Sequence, residues 1–383
     1  MPLPRSLDVA VVGAGVFGAW TAERLAAAGA RVALVDMHGA GNARASSGGE
    51  SRVTRAAYGD DELYTRWARH SLAAWRELGR DTGLPLLRAS GVLWLAGAER
   101  ARLDASRRTL ARLGVPHELL SAEEVARRWP QISPAGLEAA LFEPEGGALL
   151  ARRAVAALAE RLAGRGVRSL RARVAPPAPR AGRLGALATD GGPLVADRFV
   201  FAAGAWLGRL FPDLLGPRIF PTRQEVFFFG PPAGDDRFGL DRLPVWLDAD
   251  FYGIPDLEAR GFKIAGDRHG APADPETEER LPTPAALAAA RAQCALRFPA
   301  LAGAPLVESR VCVYENSSNG DLLVDRHPEL EDVWLVGCGS GHGFKHGPAV
   351  GSHAARLVLE GRSTDEPRLG LATKATRQQR AVH

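Results

Sequence analysis

Lysine is nearly absent from this chain. Of its 48 basic residues only Lys263, Lys345 and Lys374 are lysine, which leaves 45 arginines. Cysteine is as scarce, with only Cys294, Cys312 and Cys338 in 383 residues. An odd, scattered set without a CxxC spacing excludes a disulfide framework and a structural zinc site, so no metal is expected. No apolar run reaches the roughly 18 residues that a membrane span requires. Met1 to Asp8 lead directly into a strand predicted at Val9, so no signal peptide is expected, and a cytoplasmic location is the expectation by elimination. Basic blocks are missing too. Arginine alternates with acids, as in Glu77-Leu78-Gly79-Arg80-Asp81, and the formal charge is only +4. That pattern describes a solvated mixed surface, not a nucleic-acid footprint. Low-complexity tracts are absent, and 46% hydrophobic residues supply core for two domains or one two-lobed unit.

What is present is the grammar of a doubly wound sheet. Val9–Val12, Arg31–Val35, Arg198–Ala202 and Val333–Val336 are continuously apolar, as parallel strands buried on both faces are. A helix is predicted over Val16–Ala28, stopped by Gly29, and another over Pro348–Glu360, stopped by Gly361. Different segments intervene. Leu86–Leu95, Gln224–Phe229, Pro244–Leu247 and Phe262–Ala265 read as strands, and Pro284–Phe298 reads as a helix with Thr283 as N-cap. The fold class is therefore α/β: a Rossmann-like domain of discontinuous segments plus a second domain with a largely antiparallel sheet. The expected division assigns 1–82, 144–220 and 310–383 to the first domain and 83–143 and 221–309 to the second.

Gly13-Ala14-Gly15-Val16-Phe17-Gly18 lies between the first strand and helix. The first glycine permits a tight turn, the second admits a pyrophosphate against the backbone, and the third lets the helix pack closely on the sheet. Asp36 ends the second strand, where a carboxylate can bind the ribose of an ADP moiety. The fingerprint does not choose between dinucleotides, but two later segments do. Ala202-Ala203-Gly204-Ala205-Trp206 ends a strand as in two-domain FAD enzymes. Gly337-Cys338-Gly339-Ser340-Gly341-His342-Gly343-Phe344-Lys345 is a glycine-dense loop that can approach a large planar ligand.

Together these residues resemble the monomeric sarcosine oxidase and N-methyltryptophan oxidase family of FAD-dependent amine oxidases. The likeness rests on Ser51-Arg52-Val53-Thr54-Arg55-Ala56-Ala57-Tyr58-Gly59, on Gly261-Phe262-Lys263-Ile264, on Cys312-Val313-Tyr314 with Asp325-Arg326-His327-Pro328, and on Gly341-His342-Gly343-Phe344-Lys345. It runs from Asp8 to Gly361. An internal observation agrees with it: two of the three lysines fall inside these motifs. An ammonium has an adjustable pKa that a guanidinium lacks.

The resemblance implies oxidation of a secondary or N-methylated amino acid to an imine, with molecular oxygen reduced to hydrogen peroxide and a monomer as the expected assembly. Cys312 would tether FAD as a thioether through the flavin 8α-methyl. Lys263 and Arg52 would lie against opposite faces of the flavin and act catalytically, Lys263 in oxygen reduction. Arg55 and Lys345 would grip the substrate carboxylate, and Tyr252 and Tyr314 would line its pocket. Cofactor contacts would come from Gly13, Gly15, Val16, Phe17, Gly18, Asp36, Ser47, Ser51, Arg52, Val174, Ala203, Gly204, Trp206, Cys312, Gly341, His342, Gly343, Phe344 and Lys345.

Within the same fold, an FAD-dependent dehydrogenase or a 2-hydroxy-acid oxidase is the alternative. A nucleotide-binding protein without catalysis would need neither the two arginines nor the two lysines. The chain also departs from the family. Ser46-Ser47-Gly48-Gly49 replaces a loop that commonly carries His. Asp267 stands four residues beyond Lys263, where sarcosine oxidases carry His, and Ser317-Ser318-Asn319 replaces Thr-Pro-Asp. These changes point to a larger or more polar amino acid than sarcosine.

Overall fold

The computed structural model describes residues 7–380. Its first sheet runs in the order Leu323–Arg326, Val333–Gly337, Leu194–Phe201, Leu7–Val12, Val32–Asp36, Arg168–Arg171, with Ala186–Leu187 attached to Leu194–Phe201. The four apolar runs of the sequence lie side by side in its centre and pair in parallel. Arg168–Arg171 extends the parallel set, and Leu323–Arg326 closes the other edge antiparallel. Both faces are covered. Val9, Val11, Val200 and Val336 pack in one cluster with Trp20, Leu158 and Val350, whereas Ala10, Val12, Phe199 and Phe201 pack in another. Burial on both faces is the reason these strands lack alternation.

Helix Val16–Ala27 follows the first strand, and Gly347–Glu360 packs directly on it. Their approach depends on Gly351, where an added Cβ would lie 2.6 Å from the Trp20 carbonyl carbon. Gly361 ends the later helix at φ 69°, the left-handed conformation that glycine adopts at no steric cost.

A second, eight-stranded sheet runs Leu306–Ser317, Ile219–Phe229, Phe262–Gly266, Phe251–Ile254, Val245–Asp248, Val92–Ala96, Ala139–Glu143, Glu118–Ser121. Every pairing except Val245–Asp248 with Val92–Ala96 is antiparallel. Its core includes Phe227, Phe229, Trp246, Phe262 and Phe298, all nearly inaccessible to solvent. The expected joins near 220 and 310 fall inside the two long paired strands, Ile219–Phe229 and Leu306–Ser317.

Two expectations need correcting. Leu86–Leu95 is not one strand: it breaks into Leu87–Arg88 and Val92–Ala96, because Gly91 turns the chain at φ 80° and the two pieces join different sheets. Helix Pro284–Arg297 ends one residue early, while Thr283 caps it as expected, its Oγ1 accepting from the Ala286 N–H at 3.3 Å. The longest helix, Glu62–Thr82, was not anticipated. Asp61 caps it, and its buried face carries Tyr64, Ala68, Ser71, Trp75 and Leu78.

Candidate active site

A cavity of about 350 Å³ opens at the carboxyl ends of the central parallel strands, where open α/β sheets place their ligands. The turn after the first strand forms one wall. Gly13 adopts φ 103°, and a Cβ there would lie 2.3 Å from the Ala202 carbonyl oxygen, so no other residue fits without displacing the backbone. Gly18 does not line the cavity. Its missing side chain instead lets the helix reach the Gly13 carbonyl, which a Cβ would meet at 1.8 Å. Asp36 braces the turn: one carboxylate oxygen accepts from the Ala14 N–H at 2.8 Å, and the other accepts from His38 and Gly39. The helix N-terminus faces the cavity beside Ser47, whose Oγ accepts from the Val16 N–H at 3.0 Å.

Of the residues expected to contact a cofactor, Gly13, Gly15, Val16, Phe17, Asp36, Ser47, Arg52, Val174, Ala203, Gly204, Trp206, Gly341, Gly343 and Phe344 line this cavity. The far wall is the glycine-dense loop. Cys338 and Ser340 hold positive φ angles of 56° and 44° beside Gly341 at 75°. Non-glycine residues persist in that region only when their surroundings over-determine them. Here the Ser340 N–H donates to the Glu315 carbonyl and the Ser340 Oγ accepts from the Ser317 N–H.

Glu315 was not anticipated from the sequence. It lines the same cavity, and one carboxylate oxygen, buried beside Gly337, has no hydrogen-bond partner. Burial raises its pKa to about 7, partly offset by the backbone N–H groups of Cys338 and Gly339. N–H donors at a helix N-terminus, with Asp36 and Glu315 elsewhere in the lining, suit a ligand with phosphates at one part and hydroxyls at another. FAD has both, so the residues present fit it.

A smaller cavity shares Arg52, Tyr314, Gly341 and Phe344 with the larger one and adds Val53, Arg55, Leu247, Tyr252, Asp267, His342 and Lys345. The four residues expected at the substrate, Arg55, Lys345, Tyr252 and Tyr314, are thus brought together. The Arg55 guanidinium lies 4.4 Å from the Tyr58 ring centre and 4.7 Å from that of Trp94, and it donates to the Ala57 carbonyl. Two aromatic faces fix its plane while its charge remains available. Glu143 supports this turn, accepting from the N–H groups of Ala56 at 2.6 Å and Ala57 at 3.1 Å and from the Trp94 indole.

Lys345 donates to the Tyr58 hydroxyl and to the His342 carbonyl, each at 2.8 Å. Burial lowers its pKa well below the ordinary value, and the neighbouring Arg55 adds to the effect. Tyr58 is also 2.7 Å from His346 Nε2 and 3.2 Å from His342 Nδ1. Burial raises the pKa of the Tyr252 and Tyr314 phenols.

Ser51, Lys263 and Cys312 lie one layer behind the cavity walls. Lys263 is 3% exposed and donates to the Ser51 carbonyl at 2.9 Å, with its ammonium 5.6 Å from the Tyr252 ring centre. Burial, and then Arg52, hold its pKa well below the usual lysine range. The Cys312 thiol is 3.8 Å from an Arg52 nitrogen and 3.8 Å from the Ser46 carbonyl oxygen, two residues that both line the larger cavity. Arg52 itself donates to the carbonyls of Ser51 and Ser46 at 2.8 and 2.6 Å.

The glycines at 48 and 49 do not enlarge the substrate side, since neither lines the smaller cavity. A Cβ at Gly49 would lie 2.4 Å from an Arg52 nitrogen, so this glycine makes room for the guanidinium instead.

The chain matches known proteins over nearly its whole length. It is 32% identical to the monomeric sarcosine oxidase of Streptomyces avermitilis, over 92% of this chain and 94% of that one. It is 28% identical to the N-methyl-L-tryptophan oxidase of Salmonella arizonae, over 92% and 95% of the two chains. The solved fructosyl peptide oxidase from E. terrenum superposes with a TM-score of 0.85 at 20% identity, covering 98% of this chain and 95% of that one, which shows a shared fold. Residues 8–357 match the FAD dependent oxidoreductase family. The resemblance read from the motifs is borne out, and this chain belongs to the FAD dependent oxidoreductase family.

Proposed function

We propose that this enzyme oxidises a secondary or N-methylated amino acid to the imine and passes the electrons to molecular oxygen, giving hydrogen peroxide. The observation that carries this reading is the smaller cavity. It adjoins the cofactor cavity through Arg52, Tyr314, Gly341 and Phe344, and Arg55, Lys345, Tyr252 and Tyr314 are all in its lining. The two relatives named as oxidases of N-methylated amino acids support the same substrate class.

Bound FAD supplies the redox chemistry by accepting a hydride equivalent from the carbon next to the substrate nitrogen. The protein's own part is to hold and orient. Gly13, Gly15 and the helix N-terminus with Ser47 would hold the pyrophosphate, Asp36 the adenosine ribose, and the 337–344 loop with Ala203, Gly204 and Trp206 the remainder. Cys312 would hold the cofactor as a thioether, a role supported by its thiol's place directly behind Arg52 and Ser46. Arg55 and Lys345 bind the substrate carboxylate, Arg55 with a plane already set by Tyr58 and Trp94. Arg52, in the wall of both cavities, and Lys263, behind that wall, contribute positive charge that stabilises negative charge developing on oxygen in a site shielded from water.

The expected division into units at about 83, 144, 220 and 310 is supported by the sheets, which draw their strands from largely separate stretches of chain. The reading is tested by oxygen consumption and peroxide formation with a panel of N-methylated amino acids and the matching 2-hydroxy acids. It predicts one peroxide per oxygen with the amines. Turnover only with an artificial electron acceptor would make the enzyme a dehydrogenase.

A further inference from the structure

Asp267 is the one carboxylate among the described residues lining the smaller cavity. Arg55 and Lys345 line the same cavity and act on its carboxylate through space, yet no ion pair within 4.0 Å joins either to Asp267 among the described residues. Each cation is engaged elsewhere. Arg55 is sandwiched by Tyr58 and Trp94 and bonded to the Ala57 carbonyl, and Lys345 is held by Tyr58 and the His342 carbonyl. The Asp267 backbone is fixed as well, its N–H donating to the Asp250 carbonyl at 2.6 Å at the end of strand Phe262–Gly266. Opposite charges are therefore mounted on rigid supports around a shared cavity without collapsing onto one another. A ligand that carries both signs on neighbouring atoms fills such an arrangement, because it completes each charge pair at once.

Resting on the oxidase reading above, we propose that Asp267 binds the ammonium of a zwitterionic amino acid and takes its proton before oxidation. Arg55 and Lys345 hold the carboxylate while Asp267 accepts hydrogen bonds from the protonated amine. One N–H bond then breaks and an O–H bond forms on Asp267, leaving the nitrogen lone pair free. The N–H bonding pair stays on nitrogen as its lone pair, and no atom changes oxidation state in this step. It is required because a protonated nitrogen has no lone pair to stabilise the cationic carbon left by hydride loss.

The surroundings favour the transfer. Burial raises the Asp267 carboxyl pKa, while Arg55, Lys345 and Arg102 oppose this and Asp250 adds to it. The phenols of Tyr252 and Tyr314 line the same cavity, and burial raises their pKa values with Asp267 adding to the effect. A carboxylate here also distinguishes substrates. A 2-hydroxy acid offers it one neutral donor, whereas a secondary ammonium offers a full charge and two protons.

The test uses the flavin-loaded enzyme and its Asp267→Asn and Asp267→His variants. Anaerobic flavin reduction by an N-methylated amino acid is followed across pH 6–10, and isobutyrate serves as a carboxylate ligand without nitrogen. In Asp267→Asn the amino acid should bind roughly 10- to 150-fold more weakly, the loss of a charged hydrogen bond. Isobutyrate should bind as well or better, since an anion beside Arg55 and Lys345 is gone. The variant's reduction efficiency should climb about tenfold per pH unit toward the amine's own pKa, whereas wild type levels off at lower pH. Asp267→His, a neutral acceptor above its pKa, should restore part of the amine binding, and it carries the test if the Asn variant does not fold.

Equal losses for the amino acid and isobutyrate would make Asp267 a structural residue and overturn the proposal. An Asn variant with wild-type affinity and pH profile would do the same while leaving the oxidase reading intact. If no amine reduces the wild-type flavin, the oxidase reading itself fails.

Discussion

The Tyr58 hydroxyl accepts a hydrogen bond from the Lys345 ammonium at 2.8 Å, and His346 Nε2 stands 2.7 Å from the same oxygen. Lys345 and His346 are both buried, and burial together with Lys345 holds the His346 pKa well below the ordinary value. A neutral imidazole next to the phenol adds no repulsion to the ammonium. Tyr58 therefore fixes where the Lys345 charge sits in the smaller cavity. Tyr58→Phe should weaken binding of a carboxylate inhibitor by about 1–3 kcal/mol, the cost of leaving a buried donor without its partner. Titration of the flavin absorbance with isobutyrate measures it. Unchanged affinity would show that the His342 carbonyl alone positions Lys345.

Removing the charge itself should cost more. Lys345→Met is expected to weaken carboxylate binding by about 2–5 kcal/mol, as when one partner of a buried charge pair is deleted. An amine lacking a carboxylate should lose far less. Equal losses for the two compounds would place Lys345 in cofactor or fold stability rather than at the substrate.

Glu315 makes stability depend on pH in a defined direction. Burial raises its carboxyl from an ordinary 4.5 to about 7, so the folded protein holds this proton more tightly than the unfolded chain does. The stabilisation is fully present below about pH 4.5 and is lost as pH rises through 7. Its ceiling is about 3 kcal/mol by the usual conversion of pKa shifts. Glu315→Gln should abolish this component, so the melting temperature of wild type should fall relative to the variant between pH 5 and pH 8. Parallel melting curves across that range would show that a bound partner already satisfies the carboxylate.

Cys312→Ser should release the flavin on acid precipitation, whereas the wild-type pellet should stay yellow and its intact mass should include FAD. The thiol's position 3.8 Å from Arg52 motivates this. Flavin in the wild-type supernatant would remove the tether without touching the family assignment.

Much of this architecture was legible in the sequence because it depends on local pattern. Val9–Val12, Arg198–Ala202 and Val333–Val336 announce a sheet buried on both faces by their continuous apolarity, and they lie adjacent in it. Gly13 and Gly18 are dictated by close backbone approaches that no other residue permits. What stayed hidden depends on distance along the chain. The support that Glu143 gives Ala56 spans 87 residues, and the pairing of Tyr58 with His346 spans 288. Nothing in the local sequence of either partner signals the other. Glu315 follows a motif tyrosine, but only the fold shows that it lines the cofactor cavity with one carboxylate oxygen unpartnered. Leu86–Leu95 misled because its apolar residues continue across Gly91, whose positive φ sends the chain from one sheet to another.

The two half-reactions can be separated through Lys263, which is buried against Ser51 and Tyr252. Lys263→Met should load FAD and be reduced by substrate at a rate near wild type. Its reoxidation by oxygen should slow by about 3–4 kcal/mol, roughly 100- to 1000-fold, as when one placed electrostatic stabiliser is removed. Stopped-flow mixing of reduced enzyme with oxygen decides it, and a wild-type rate would free Lys263 of any role with oxygen.

The most direct test of the central claim is the absorbance of the purified, flavin-loaded enzyme mixed anaerobically with N-methylated amino acids and then with the matching 2-hydroxy acids. The account predicts that at least one amine bleaches the oxidised flavin bands completely, that the hydroxy acids do not, and that admitting oxygen restores the bands with one hydrogen peroxide released per flavin. Bleaching by a 2-hydroxy acid with no response to any amine would contradict it.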